Sequence, residues 1–499
     1  MRYSFSADIP VLDPHVSDLP EAGMIFRQIY DTLVYRDPES RAFVPGLATD
    51  WEVSPDGLSY RFSLRQNVSF HDGSEFTADS VAFNIERIFR PDSDRSLARD
   101  LLGPLHQVDV LDKYSIRLHL FEPHAALLDG LAQPFLGIAS PEALKSYDGL
   151  RYQYHQSGTG PFALEDYLPG ERVILRRFDG YAVDPPIYAP LDGDEIDIIE
   201  FTVTRDGEGD LLSILGSTID VVDAVSPVAA RNLAGNSRVR LLPTAIPGLA
   251  VQWLFNTNRA LLNRRDVRLA LVLASNRIAI SDQIYLNAAA VAWSPLSEST
   301  GYAHTGFRNS FEFDLAEAQA LFSAAGYADS DGDGFLDLAG DRLELTMLAP
   351  PWGRLPDVGA FLREQWRRLG IDLAVEPVPG RMQLYSQIRT GEYDLLPVSI
   401  HGIDPGMLNR VFLDDSPYAA SRARQPALND MLVQASQETD PARRRAQYYD
   451  IQTLLMNEAL LLPISETVRL RALSANIVDL RYDAYGFYPL LVNVKIRAN

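Results

Sequence analysis

Short stretches of alternating apolar and polar residues recur along the chain, each close to a stretch with an apolar residue at every third or fourth position. Tyr60-Arg61-Phe62-Ser63-Leu64 has a period of two, which predicts a half-buried strand. His71-Asp72-Gly73 reads as a turn, and Thr77 as the N-cap of a helix carrying Val81, Ile85 and Ile88 on one stripe. Val358, Phe361, Leu362 and Leu369 form a second stripe, ended by Gly370, and Ile371, Leu373 and Val375 then alternate as a strand. Asp440-Pro441 opens a third helix, running through Tyr449 and Leu455, with proline at its first position. The apolar strand Leu460–Ile464 follows it. Helices followed closely by short apolar strands predict α/β lobes rather than a bundle or a sandwich.

Length divides this pattern. At 499 residues the chain exceeds what one hydrophobic core sustains, so two or more lobes are expected. No stretch approaches the ~18 consecutive apolar residues of a spanning helix. The net charge of −22 disfavours binding to phosphate backbones or anionic headgroups through a broad basic face, so no nucleic acid partner is expected. With no cysteine, disulfides, thiolate metal sites and cysteine nucleophiles are excluded. Met1-Arg2-Tyr3-Ser4-Phe5 lacks the basic-then-apolar pattern of a signal peptide, which leaves two readings: a cytosolic protein, or one whose export segment has been removed.

Enzyme signatures are missing. None of the three lysines, Lys113, Lys145 and Lys495, sits in a Gly-Lys-Ser/Thr setting, and the eight histidines form no His-Glu-x-x-His. Gly158-Thr159-Gly160 runs into Pro161, which breaks a dinucleotide fingerprint, and there is no Gly-x-Ser-x-Gly elbow. Carboxylate pairs such as Asp194-Glu195 and Asp414-Asp415 are expected by chance among 67 acidic residues. The expectation is that the protein is not an enzyme.

One motif has the spacing of a cation site. In the run from Asp329 to Asp337, carboxylates Asp329, Asp331 and Asp333 alternate, Gly334 takes the sixth place, the Phe335 carbonyl the seventh and Asp337 the ninth. A hard cation needs six to eight oxygens, and alternation in a tight turn directs them inward. The twelfth place is Gly340, where a bidentate glutamate would normally close the shell. The alternatives are a structural calcium loop and an acidic surface turn whose aspartates bond their own backbone.

Several segments, in order, resemble one family. They include Leu12-Asp13-Pro14, Gln28–Leu33, Pro45-Gly46-Leu47-Ala48, Trp51–Gly57 and Phe62-Ser63-Leu64-Arg65. Phe70-His71-Asp72-Gly73, Thr77–Val81, Gly158–Phe162, Gly216–Asp220 and Leu254-Phe255-Asn256-Thr257 continue the series. Asp266-Val267-Arg268, Leu369-Gly370-Ile371 and Gly391–Leu395 complete it. Together they resemble the large-ligand solute-binding proteins of ABC importers, family 5, which includes oligopeptide-, dipeptide- and nickel-binding proteins. The chain departs from the pattern at Ala274-Ser275-Asn276-Arg277, and at Val398–Ile403, where the family carries a tryptophan-bearing stretch.

The resemblance implies a two-lobed, type II periplasmic-binding-protein-like α/β fold with an extra subdomain in lobe one. Its expected layout is 1–32 as the first segment of lobe one, 33–154 as the extra subdomain and 155–246 as the second segment. Lobe two would span 247–462, and 463–499 would return to lobe one, with crossing strands near Leu241–Val251 and Leu462–Leu470 as the hinge. The implied function is capture of a peptide-like ligand for a membrane-embedded ABC permease, by closure around it. The other readings are a non-peptide solute (oligosaccharide, opine or metal chelate) and a peptide-binding receptor or chaperone. The resemblance favours a periplasmic or membrane-anchored extracellular monomer with a removed export segment and no required cofactor.

By the same resemblance, Asp404 in Ile403-Asp404-Pro405 would pair with a ligand amino terminus, and Arg354 with a carboxylate. Trp352 and Trp253 would supply flat pocket walls, and His15 would line the first-lobe side. A turn-initiating role competes for Asp404, a surface position for Arg354 and core burial for the tryptophans.

Overall fold

Strand Ser59–Leu64 forms where the period-two alternation places it, with Tyr60, Phe62 and Leu64 buried on one face. Helix Ala78–Ile88 starts at Thr77, which makes a reciprocal capping box with Ser80 and buries Val81, Ile85 and Ile88. These elements belong to a computed structural model that describes all residues except 92–94, 148, 205–206, 417–421 and 498–499. Helix Leu355–Arg367 and strand Asp372–Pro377 form about the second stripe, and Gly370 between them takes the left-handed conformation (φ 80°). Helix Pro441–Asn457 is capped by Asp440, whose side chain accepts from the Arg443 amide, and strand Leu461–Ser465 follows.

The chain forms two units. The first comprises Met1–Thr244 with Arg469–Asn499, and the second comprises Ala245–Val468. The return to the first unit therefore begins at Arg469 rather than at 463. The reason is local: Leu461–Ser465 pairs antiparallel with Val251–Phe255 inside the second unit's sheet. Thr467 then accepts a backbone hydrogen bond from Ile246 (2.9 Å).

In the first unit a seven-stranded sheet has the order Val239–Ala245, Val468–Ser474, Val221–Val222, Arg2–Phe5, Ile198–Val203, Arg172–Arg177, Phe162–Leu168. Arg2–Phe5 lies parallel to both of its neighbours. The stretch 33–154 carries a separate four-stranded antiparallel sheet in the order Ala48–Val53, Ser59–Leu64, Ser115–Leu120, Leu105–Asp112. Its apolar face packs with helix Ala78–Ile88 into a core that includes Phe62, Phe70, Val81, Ile116 and Leu118.

The second unit is built on a five-stranded mixed sheet in the order Asp372–Pro377, Glu344–Ala349, Leu395–Val398, Val251–Phe255, Leu461–Ser465. Successive residues of Val251–Phe255 enter opposite cores. Trp253 and Phe255 pack with residues of helices Arg265–Leu273 and Leu355–Arg367. Leu254 packs with residues of helices Met407–Phe412, Pro426–Gln437 and Pro441–Asn457. With both faces covered, the strand is apolar nearly throughout. Among the described residues, no helix is long and apolar enough to cross a membrane.

Candidate functional site

Loop 399–406 leaves strand Leu395–Val398 and leads into helix Met407–Phe412. Asp404 on this loop accepts from the Gly406 amide (2.8 Å), as a turn-initiating aspartate does. It also forms a two-pronged ion pair with Arg444 of helix Pro441–Asn457, at 2.6 and 2.8 Å. Both side chains are nearly buried, with relative exposures of 6% for Arg444 and 12% for Asp404. Burial alone would lower the Arg444 pKa, but the Asp404 charge and its hydrogen bonds raise it well above the ordinary range. The expected amine anchor is thus engaged in a structural ion pair, its charge matched by a buried guanidinium.

Trp253 lies away from any surface. It is fully buried in the core of the second unit, where its indole Nε1 donates to the Leu348 carbonyl (3.3 Å). An inward position on a strand covered on both faces makes it a core residue, not a pocket wall. Trp352 is the opposite case, 39% exposed on the loop that opens helix Leu355–Arg367. Arg354, at the N-cap of that helix, lies 3.2 Å from Asp357. Its charge also acts on Tyr285, whose pKa burial pushes up. Thus Trp352 and Arg354 share one loop, and the Arg354 charge reaches Tyr285.

His15 is fully enclosed within the first unit. Its Nδ1 accepts from Arg87 Nη1 (2.8 Å), and its Nε2 donates to the Gly137 carbonyl (3.1 Å). The same guanidinium pairs with Asp13. Burial, reinforced by the Arg87 charge, lowers the His15 pKa to about 3, so the ring stays neutral. This corrects the expectation that His15 lines a ligand surface. The Leu12-Asp13-Pro14-His15 turn is a buried tether to helix Ala78–Ile88.

Two other signature segments meet in the same unit. The His71 amide donates to the Gly158 carbonyl (2.9 Å), and His71 Nε2 to the Gly160 carbonyl (2.9 Å). Thr159 Oγ1 donates to Asp31 (2.9 Å), which also accepts from Tyr35 (2.7 Å) and Tyr181 (3.2 Å). Burial raises the Asp31 pKa to about 6 against the effect of these donors. A side chain at position 160 would bring its Cβ to 2.5 Å from the Gln28 carbonyl oxygen, so glycine is required by close approach.

The two departures from the family pattern also serve the scaffold. Ser275 accepts from the Trp366 indole (3.1 Å), and Asn276 caps helix Arg277–Gln283. Arg277 is buried, its guanidinium 4.4 Å from the Trp293 ring centroid. In 398–403, the Ile400 carbonyl accepts from Leu249 (2.8 Å), and Gly402 donates to the Pro247 carbonyl (2.9 Å).

In the acidic loop, oxygens of Asp329, Asp331 and Asp333 converge within 4.8 Å, all exposed. Asp337 does not join them. Its carboxylate accepts from the Ser330 amide and hydroxyl (2.8 and 2.7 Å). Asp329 accepts from the Gly332 and Gly334 amides, and Asp333 is ion-paired with Arg342. The Phe335 ring lies between Arg342 and Arg367, at 4.0 and 3.7 Å. Three donors fit a hard cation, but the adjoining guanidinium groups and Gly340 do not.

Sequence reasoning missed Arg444. The only signal for Arg444 was the run Arg443-Arg444-Arg445 just inside a helix, of which the middle residue is buried.

The sequence profile described as bacterial extracellular solute-binding proteins, family 5 Middle, matches residues 42–417. Over 501 aligned residues, 92% of this chain and 85% of the relative, the chain is 27% identical to the peptide transport periplasmic protein SapA of Salmonella typhimurium. It is 28% identical over 457 residues to the dipeptide-binding protein of Escherichia coli K12, covering 86% of this chain and 82% of the relative. Among solved structures, NikA from Brucella suis in complex with Fe(III)-EDTA superposes with a TM-score of 0.88, at 22% identity and 100% coverage of both chains. The common fold is the α/β fold of type II periplasmic binding proteins. The chain belongs to the bacterial extracellular solute-binding proteins of family 5.

Proposed function

We propose that this protein is the extracytoplasmic binding component of an ABC importer, which captures a peptide-like solute and passes it chemically unchanged to a membrane-embedded permease. The observation that carries this reading is near full-length similarity to two relatives named for peptide transport and dipeptide binding. Two covalent connections between the units suit a hinge that closes on a ligand. Trp352 and Arg354 are the expected ligand-facing residues that remain, one offering an exposed ring and the other a guanidinium. No group in this reading performs catalysis, and a periplasmic or surface-anchored location follows from it.

The Asp404–Arg444 pair favours a second reading at finer detail: a solute without a free amino terminus, such as a metal chelate or sugar. Denaturing the purified protein and identifying the released molecule by mass spectrometry tests both, together with calorimetric titration of synthetic di- to pentapeptides. A released peptide, or saturable peptide binding, is expected. A released non-peptide solute with no heat from any peptide would overturn the peptide reading.

We also propose that Asp329, Asp331 and Asp333 take a weakly held structural calcium. Convergence of three carboxylates supports this, and the Arg342 pair limits it. Calcium there would supply charge neutralisation for the loop and no chemistry.

A further inference from the structure

Both connections between the units are tied to the same stretch of the second unit. On the outgoing connection, the Gly248 carbonyl accepts from Ser297 (2.9 Å), and Ala250 donates to the Pro295 carbonyl (3.0 Å). On the return, the Glu466 amide donates to the Ala290 carbonyl (2.8 Å). The Glu466 side chain reaches the same stretch. Its two carboxylate oxygens lie 3.4 and 3.2 Å from the Glu298 amide. Glu298 and Arg308 are the charged groups acting on it, and Arg308 is already engaged by the Glu298 carboxylate (2.8 Å). A half-buried carboxylate thus sits on a two-residue connection beside a second carboxylate, and the nearby cation is shared.

We propose that Glu466 is a pH-dependent clamp that fixes the returning connection, Glu466-Thr467, to residues 288–300 of the second unit. Protonated, the carboxyl lies in this site without a desolvation penalty and still accepts from the Glu298 amide. Ionised, it is held out of water next to the Glu298 charge, and release to solvent becomes favourable. Burial first, then the Glu298 charge, raises the clamped pKa to about 7 from 4.5. The sign follows from linkage: the clamp is strongest below the released-state value and weakens as pH rises through about 7. Its bearing on transport rests on reading the two connections as the hinge. External alkalinity would then free the hinge, and acidity would stiffen it.

The test uses the full chain without ligand and follows amide hydrogen exchange by mass spectrometry at pH 6 and pH 8, corrected for intrinsic rates. Opening at Glu466 and at Ile246, whose amide bonds Thr467, should increase roughly tenfold between these values. In Glu466→Gln that increase should vanish. In Arg308→Met, which keeps Glu466 but removes the shared cation, the midpoint should move to higher pH. A parent protein whose opening does not change with pH, an increase that persists in Glu466→Gln, or an unmoved midpoint in Arg308→Met overturns the clamp. No ligand enters the readout, so a failure to bind peptides would count against the proposed function and leave the clamp untouched.

Discussion

His71 and Gly160 lie 89 positions apart and are joined by a 2.9 Å hydrogen bond from the imidazole Nε2 to the glycine carbonyl. The other ring nitrogen, Nδ1, faces the Gly158 amide at 3.4 Å, so the neutral ring donates on one side and accepts on the other. A proton on Nδ1 would turn that acceptor into a second donor pointing at an N–H. The tightness of the Gly158-Thr159-Gly160 turn thus depends on a histidine that must stay uncharged.

A pH dependence follows. Burial lowers the His71 pKa to about 4 from 6.5. Below 6.5 the unfolded chain takes up a proton that the folded chain refuses, so stability is full above 6.5 and falls as pH drops towards 4. The slope is at most about 1.4 kcal/mol per pH unit. His15 has the same sign, whereas Asp31 and Asp483, both raised to about 6, act in the opposite sense. The informative quantity is therefore the difference in urea stability between the parent and His71→Ala across pH 4.5 to 7. That difference should shrink with acidity from about 1–3 kcal/mol at neutral pH. A pH-independent difference would contradict a neutral, bonded ring.

The Asp404–Arg444 pair predicts a stability phenotype where a ligand anchor would show only a binding one. Asp404→Ala leaves Arg444 buried without its partner and should cost about 3–5 kcal/mol. Replacing both, as Asp404→Ala with Arg444→Met, should recover much of that loss, because no charge remains buried. Chemical denaturation of the two variants decides it. A single variant as stable as the parent would return Asp404 to the list of ligand contacts.

The contrast between legible and hidden features has a physical cause. Elements with a partly exposed face were legible: the alternation over 59–64 and the stripe from Val358 through Leu362 each mark one buried side. The two units divide after Thr244 and after Val468. Trp253 was ambiguous because its strand is covered on both faces, so periodicity cannot distinguish a core side from a ligand side. Arg444 was hidden for another reason. Arg443 reaches out to Glu438, Arg445 lies over the Tyr302 ring and Arg444 turns inward, and only three-dimensional packing tells the three apart.

Core placement of Trp253 carries its own prediction. Trp253→Ala should destabilise the second unit by about 3–5 kcal/mol, through lost contacts and the cavity left behind. Trp253→Phe should lose less, because much of the ring volume is kept, although the Leu348 carbonyl loses its indole donor. Ligand affinity measured where both variants are folded should match the parent. Weakened binding in a fully folded Trp253→Phe would show that the ring acts on the solute.

The acidic loop sets a competition between a cation and a guanidinium. Asp329, Asp331 and Asp333 offer converging oxygens, yet Arg342 holds Asp333 and also bonds Asp372 (3.1 Å). Calcium entering the cluster must displace Arg342 or tolerate its charge, so binding should require millimolar concentrations, as in the weaker extracellular calcium modules. Starting from chelator-treated protein, ~5 mM calcium should raise the melting temperature slightly. Arg342→Met should give the same rise at lower calcium, because the competing charge is gone. Asp331→Asn should abolish the rise in either background, since it removes one of three anionic donors without touching the Arg342 pair. If neither the parent nor Arg342→Met responds to calcium, the aspartates serve only to fold their own turn, through the amides of Gly332, Gly334 and Phe335 that they already bond.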